Sequence, residues 1–181
     1  SLSQPGQAAL EFEGLRFYEP LARAGDAARV FAVPPQDIRI EERPLAPTES
    51  DGAPIRRRTL RFASPFVPLN PAAAPVFARM RRGAVSHAEH WCHGDRPRST
   101  LIVVHGFGAD MPWLNAHALA LAALYHAGHD ILFFTFPHHG PRAESFLPFN
   151  GWGVFGNGLL HFNEVTLLAI HDLRVYIDHL H

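Results

Sequence analysis

Two short apolar runs, Leu-Ile-Val-Val within Ser99–Val104 and Ile-Leu-Phe-Phe within Asp130–Phe136, constrain this chain more than any other feature. Neither alternates apolar with polar residues, which is the pattern of strands buried on both faces. The segment between them reads as a helix. Asp110 can cap it, Pro112 suits its first turn and Gly128 stops it. Leu114, Ala118, Leu121 and Tyr125 step by three and four, so one side is apolar. Strand, helix and strand of this kind imply a parallel pair joined by a right-handed crossover. The chain is therefore read as α/β, and its 181 residues suit about one domain.

Around that unit the pattern is less regular. Residues 1–58 read as an N-terminal extension, with weak helix around Leu15–Ala22 and Gly25–Phe31 and loop over Glu41–Arg58, a polar, Pro-containing stretch. Arg56, Arg57 and Arg58 form the one dense basic cluster and read as a solvated strand entrance. The domain proper is placed at residues 59–181. Thr59–Phe66 and Ala84–Trp91 have the texture of strands, the second closed by the turn Gly94-Asp95-Arg96-Pro97. After the two buried strands comes an insert rich in Pro, Gly and aromatics over residues 137–157. The last element is a helix over Phe162–Leu180, with Phe162, Val165, Ala169, Leu173, Tyr176 and Leu180 on one face and Asp172 and Arg174 on its polar side. Antiparallel strands thus lead into a parallel sheet flanked by helices.

Charge and composition narrow the function classes. Sixteen arginines with no lysine stand against 17 acidic residues, a formal charge of −1, so the chain has no general attraction for nucleic acid or anionic lipid. A single cysteine excludes an internal disulfide framework. No apolar run is long enough for a membrane span. The opening residues lack the basic start and apolar stretch of a signal peptide, which points to a soluble, cytoplasmic protein. Thirteen histidines invite a metal, and the densest group is His87, His90, Cys92 and His93. On a strand, His87 and His93 share a face while His90 points away, a poor ligand set, so no metal is expected. Most other histidines read as surface or capping residues.

The stretch with chemical content is Leu101–Asp110, LIVVHGFGAD, in which a buried strand runs into His105-Gly106-Phe107-Gly108. Gly106 and Gly108 are expected to permit a sharp turn where a side chain would clash. That turn can aim the Phe107 N–H into the cleft at the carboxyl ends of the strands, where it would stabilise a developing oxyanion. His105 reads as a packed residue that shapes the loop. The arrangement resembles the oxyanion loop of the α/β-hydrolase superfamily, and the likeness runs over Thr59–His181. The loop Pro137-His138-His139-Gly140-Pro141-Arg142 is similar to the turn after the next strand in these hydrolases, and the final helix, with Ile170-His171-Asp172-Leu173, to the helix before the nucleophile strand. The PHHGPR loop and aromatic insert also resemble a bacterial branch related to α/β-hydrolase domain-containing protein 18.

The resemblance implies the N-terminal part of an α/β-hydrolase fold, needing no cofactor. The implied parent is a serine hydrolase acting on an ester, thioester or amide. A superfamily nucleophile sits in a G-x-S-x-G elbow, and Ser1, Ser3, Ser50, Ser64, Ser86, Ser99 and Ser145 all lack those flanking glycines. Nucleophile, acid and catalytic histidine are therefore expected beyond His181, and the chain alone is expected to be inactive. His138, His139, Arg142 and Trp113 are candidates to line the cleft for a small apolar or acyl substrate, with Arg142 more readily paired to an acid. The insert, with Phe146, Phe149, Trp152 and Phe155, is expected to pack over the mouth as a small lid. A sheet cut short would expose an apolar edge at Asp130–Phe136 or its neighbour and favour self-association. The alternative is a non-catalytic α/β-hydrolase-like domain that binds a ligand or a protein.

Overall fold

The computed structural model describes residues 5–50, 53–94, 96–106, 116–117 and 119–181. Three short helices open the chain: α1 (Pro5–Arg16), α2 (Glu19–Ala24) and α3 (Ala27–Val30). The expected helix over Leu15–Ala22 is broken at Phe17 and Tyr18. Pro20 has no N–H to continue an existing helix but suits the first turn of a new one, which is where α2 places it. Gly25 closes α2 at φ 62°. Asp26 then caps α3, accepting a 3.1 Å bond from the Arg29 N–H.

The stretch expected as loop over Glu41–Arg58 carries three strands, β1 (Glu41–Pro44), β2 (Thr48–Ser50) and β3 (Ala53–Ile55). β2 and β3 form a separate antiparallel pair. Five strands make the main sheet, in the order β1, β4 (Arg57–Ala63), β5 (Val85–Trp91), β7 (Asp130–Phe134) and β6 (Thr100–Val104). The first three interfaces are antiparallel, and β6 with β7 is parallel. Antiparallel strands do lead into a parallel pair. Asp110, Pro112, Leu114 and Ala118, where the crossover helix was expected to begin, lie outside the described residues. A single turn, α4 (Ala74–Phe77), lies between β4 and β5, and the later part of the crossover helix is α5 (Leu121–His126).

Alternation along β7 decides the layering. Leu132 and Phe134 point to one face, where they pack with Leu60, Phe62 and Ala88 against Ala169, Val175 and Tyr176 of the last helix, α7 (Gly158–Leu180). Ile131 and Phe133 point to the other face, against Leu121 and Tyr125 of α5, with Ile55 and Trp91. Helices therefore cover both faces of the sheet's centre. β7 is buried throughout. β6 is not: it is the sheet's edge, with Ile102 42% and Val104 47% exposed, so its apolar run does not mark burial on both faces. The exposed edge belongs to the neighbour of Asp130–Phe136. Among the described residues, no helix is long and apolar enough to cross a membrane.

Candidate functional site

β6 and β7 end at the same level, with Val104 opposite Phe134. The residues that follow them meet above the sheet. His105 accepts a 3.1 Å hydrogen bond at Nε2 from the Phe136 N–H, and its Nδ1 lies 2.9 Å from the Gly106 carbonyl. An Nε2 that accepts leaves the proton on Nδ1, which donates to Gly106. The imidazole thus ties the exits of two parallel strands together, and its ring lies over Phe133 and edge-on to His139, with centroids 4.7 Å apart. This is the packed, loop-shaping role expected of His105. Among the described residues, a Cβ on Gly106 would meet no atom within 4 Å, and its φ is not left-handed. Phe107, Gly108 and Trp113 lie outside the described residues.

The PHHGPR loop folds inward. His138, at φ 64°, is held in the left-handed region, and its Nε2 sits 3.1 Å from Nε2 of His161 on α7. Both rings are buried, and burial pushes His138 down to about 3 and lowers His161 as well. The pair is therefore neutral at ordinary pH and joined by an N–H···N hydrogen bond. His138 lies at such close range to α6 (Trp152–Phe155) that a Cβ on Gly153 would fall 2.2 Å from its Nδ1. The His138 carbonyl accepts from the Gly151 N–H at 2.8 Å. His139 is buried too, with Nδ1 3.0 Å from the Pro137 carbonyl, to which it donates. These three, with His90 and His105, are interior residues, which corrects the reading of the remaining histidines as mostly surface and capping groups.

Arg142 does not line a cleft. It is wholly buried beneath the loop, donating from Nη1 to the Thr135 carbonyl at 3.2 Å and from Nη2 to the Gly83 carbonyl and Asp172 Oδ2, each at 2.8 Å. Asp172 is equally buried and also accepts from Ser64 Oγ, so it is not on the solvated side of its helix. Glu144, two residues on, accepts at Oε1 from the Arg82 and Gly83 N–H groups at 2.7 and 3.0 Å. The Arg142–Asp172 pair thus joins the start of β5, the exit of β7 and the middle of α7. A second buried carboxylate, Glu164, accepts from the Leu69 and Asn70 N–H groups and from the Tyr18 hydroxyl, fastening the N-terminal helices to α7. Burial and that carboxylate together raise the Tyr18 hydroxyl.

Beside His138 lies a cavity of about 150 Å³, walled by Val76, Met80, Glu144, Phe146 and Asn157 among others. In the insert expected to pack over the mouth as a small lid, Phe146 is 71% exposed, and Phe149, Trp152 and Phe155 also face solvent. One edge contact and one stack involve these rings, Phe149 edge-on to Trp152 and Phe155 stacked on Phe162. The His87–His93 group disperses. His90 accepts from Arg58 at Nδ1, and His93 Nδ1 lies 2.7 Å from Asp130 Oδ1. Among the described residues, no three His, Cys, Asp or Glu side chains gather as a metal site would require. No family model matches the chain, and no curated protein matches it.

Proposed function

We propose that this chain is the N-terminal part of a serine-type α/β hydrolase that acts on an ester, thioester or amide. The observation that carries the reading is the junction at His105. A strand exit followed by His-Gly-Phe-Gly is clamped by the Phe136 N–H to the exit of the parallel strand beside it. Clamping fixes where the following backbone starts, and an oxyanion donor has to be positioned before the charge develops. On this reading the Phe107 N–H is one donor. The serine, its general base and the orienting acid lie beyond His181, on strands that extend the sheet from the free side of β6. The exposed aromatics of the insert, beside the cavity at His138, favour an apolar acyl group over a charged substrate.

A second reading, a non-catalytic binding domain of the same architecture, has its own support. Arg142, Glu144, His105, His138 and His139 are all engaged in holding backbone or a neighbouring side chain, a structural use of groups that could otherwise have served as acid or base. One experiment separates the two. The reading frame is extended past His181, and the longer protein is treated with a fluorophosphonate probe. Labelling of a serine beyond His181, with a Phe107→Pro variant that loses on the order of 10²-fold in kcat against p-nitrophenyl esters, supports the hydrolase. An extended protein that takes no label and cleaves no ester supports the binding domain. A stop codon directly after His181 defeats the hydrolase reading.

A further inference from the structure

A second cavity, of about 220 Å³, opens on the side of α7 remote from the strand exits, between α3, the loop at residues 65–69 and the helix itself. Its wall has an unusual composition. Twelve residues line it: nine are apolar, Phe66, Val67 and Leu167 among them, and the other three are Arg29, His171 and Arg174. Among the described residues, no acid and no neutral polar side chain contributes.

We propose that this cavity binds a single-chain anionic amphiphile, with a medium-chain carboxylate as the simplest member. Both arginines line the one cavity, and the way its walls are held leaves donors for a ligand. Arg174 donates from Nη1 to the Phe31 and Ala32 carbonyls at 2.7 and 3.3 Å, which fastens the segment after α3 to α7 and leaves Nε and Nη2 for a ligand. Arg29 has no ion-pair partner among the described residues, because the nearby Asp26 carboxylate caps α3 through the Arg29 backbone N–H. His171 is held edge-on to Phe66, with its Nδ1 3.5 Å from the Asp172 carboxylate, which Arg142 and Ser64 also share. An anion there meets two guanidinium groups and, among the described residues, no carboxylate in the cavity wall, while an alkyl tail meets apolar walls. A cation would be repelled. An uncharged chain would leave the arginines without a new partner. The site shares no residue with the strand-exit site and stands independently of the hydrolase reading.

The test is displacement of 1-anilinonaphthalene-8-sulfonate from the 181-residue chain, followed by calorimetry with decanoate, decanol and decyltrimethylammonium. Decanoate is expected to bind one per chain, at least tenfold more tightly than either analogue. Arg29→Glu and Val67→Asp change exposed positions and so preserve the circular dichroism of the parent, and each is expected to weaken decanoate at least tenfold. Absence of decanoate binding overturns the proposal. So does equal binding of the three probes, which would indicate adsorption to the aromatic insert, and so does decanoate binding that survives both substitutions.

Discussion

Asp172 and Arg142 form the contact with the highest stakes in the molecule, because both are fully buried and, among the described residues, Asp172 is the carboxylate that pairs with Arg142. Removing one partner strands a charge in the interior, at a cost of about 3–5 kcal/mol. Asp172→Ala is expected to lower unfolding stability by that order in urea titrations. Arg142→Met added to Asp172→Ala is expected to cost less than Arg142→Met alone, since the arginine has already lost its partner. Strictly additive losses in this cycle would mean that the pair is not coupled. From the sequence, Asp172 is expected on the polar side of its helix. At 100° per residue it lies about 20° from Val165, at the border of the apolar stripe, and a charge there reads as surface until a partner from a distant loop is known. Nothing local announces that Arg142, thirty residues earlier, is that partner.

The buried histidines add a pH dependence at the same scale. Burial holds His138 down to about 3, and burial with the adjacent Arg58 charge holds His90 to about 4. The unfolded chain takes up protons at these sites near pH 6.5 and the folded chain does not. Their contribution is therefore complete above about pH 6.5 and declines as the pH falls toward the folded values, by at most about 1.4 kcal/mol per pH unit for each histidine. Urea midpoints are expected to drop between pH 7.5 and pH 5. His138→Asn, which tolerates the left-handed backbone, is expected to flatten that decline even though it lowers stability at pH 7.5. An unchanged slope would show that His138 does not hold its proton off.

At the scale of elements, what the sequence revealed depended on burial. β7 is apolar at every interior position and stood out, and α7 carries a stripe that repeats at helical spacing. β1 did not stand out. It is exposed along its length and pairs on one side only, through Glu42 and Arg58 among others, so it has no apolar alternation to read. α6 was read as loop because it is a single turn bracketed by glycines, and its place is set by tertiary contact. Gly153 sits where His138 leaves no room for a side chain. Gly153→Ala is expected to cost about 1–3 kcal/mol as an overpacked contact, read as a fall in the thermal midpoint. Gly25→Ala is a useful contrast. Among the described residues its Cβ would meet nothing within 4 Å, so the left-handed φ of 62° is what opposes it, and the smaller loss it should show would attribute the Gly153 effect to packing.

Across the whole molecule, the two edges of the sheet are treated differently. β1 ends one side with Glu41, Glu42, Arg43 and Pro44, the charges and proline that discourage further pairing. β6 ends the other with Thr-Leu-Ile-Val-Val, no charge and no proline, and its outward backbone groups face away from β7. Leu101 and Val103 turn toward the α5 face, whereas Ile102 and Val104 lie on the α7 face, where the helix does not reach over them. A flat, apolar strand of this kind accepts another strand, from an extension of the same chain or from a second copy. The 181-residue chain is therefore expected to self-associate as its concentration rises, seen as a growing sedimentation coefficient. Ile102→Lys with Val104→Lys is expected to restore a monomer without loss of helical circular dichroism, because neither side chain belongs to either core. A chain that sediments as a monomer throughout would show that β6 is not an open acceptor. A chain extended beyond His181 that is monomeric with β6 unaltered would show that the added residues occupy the same edge.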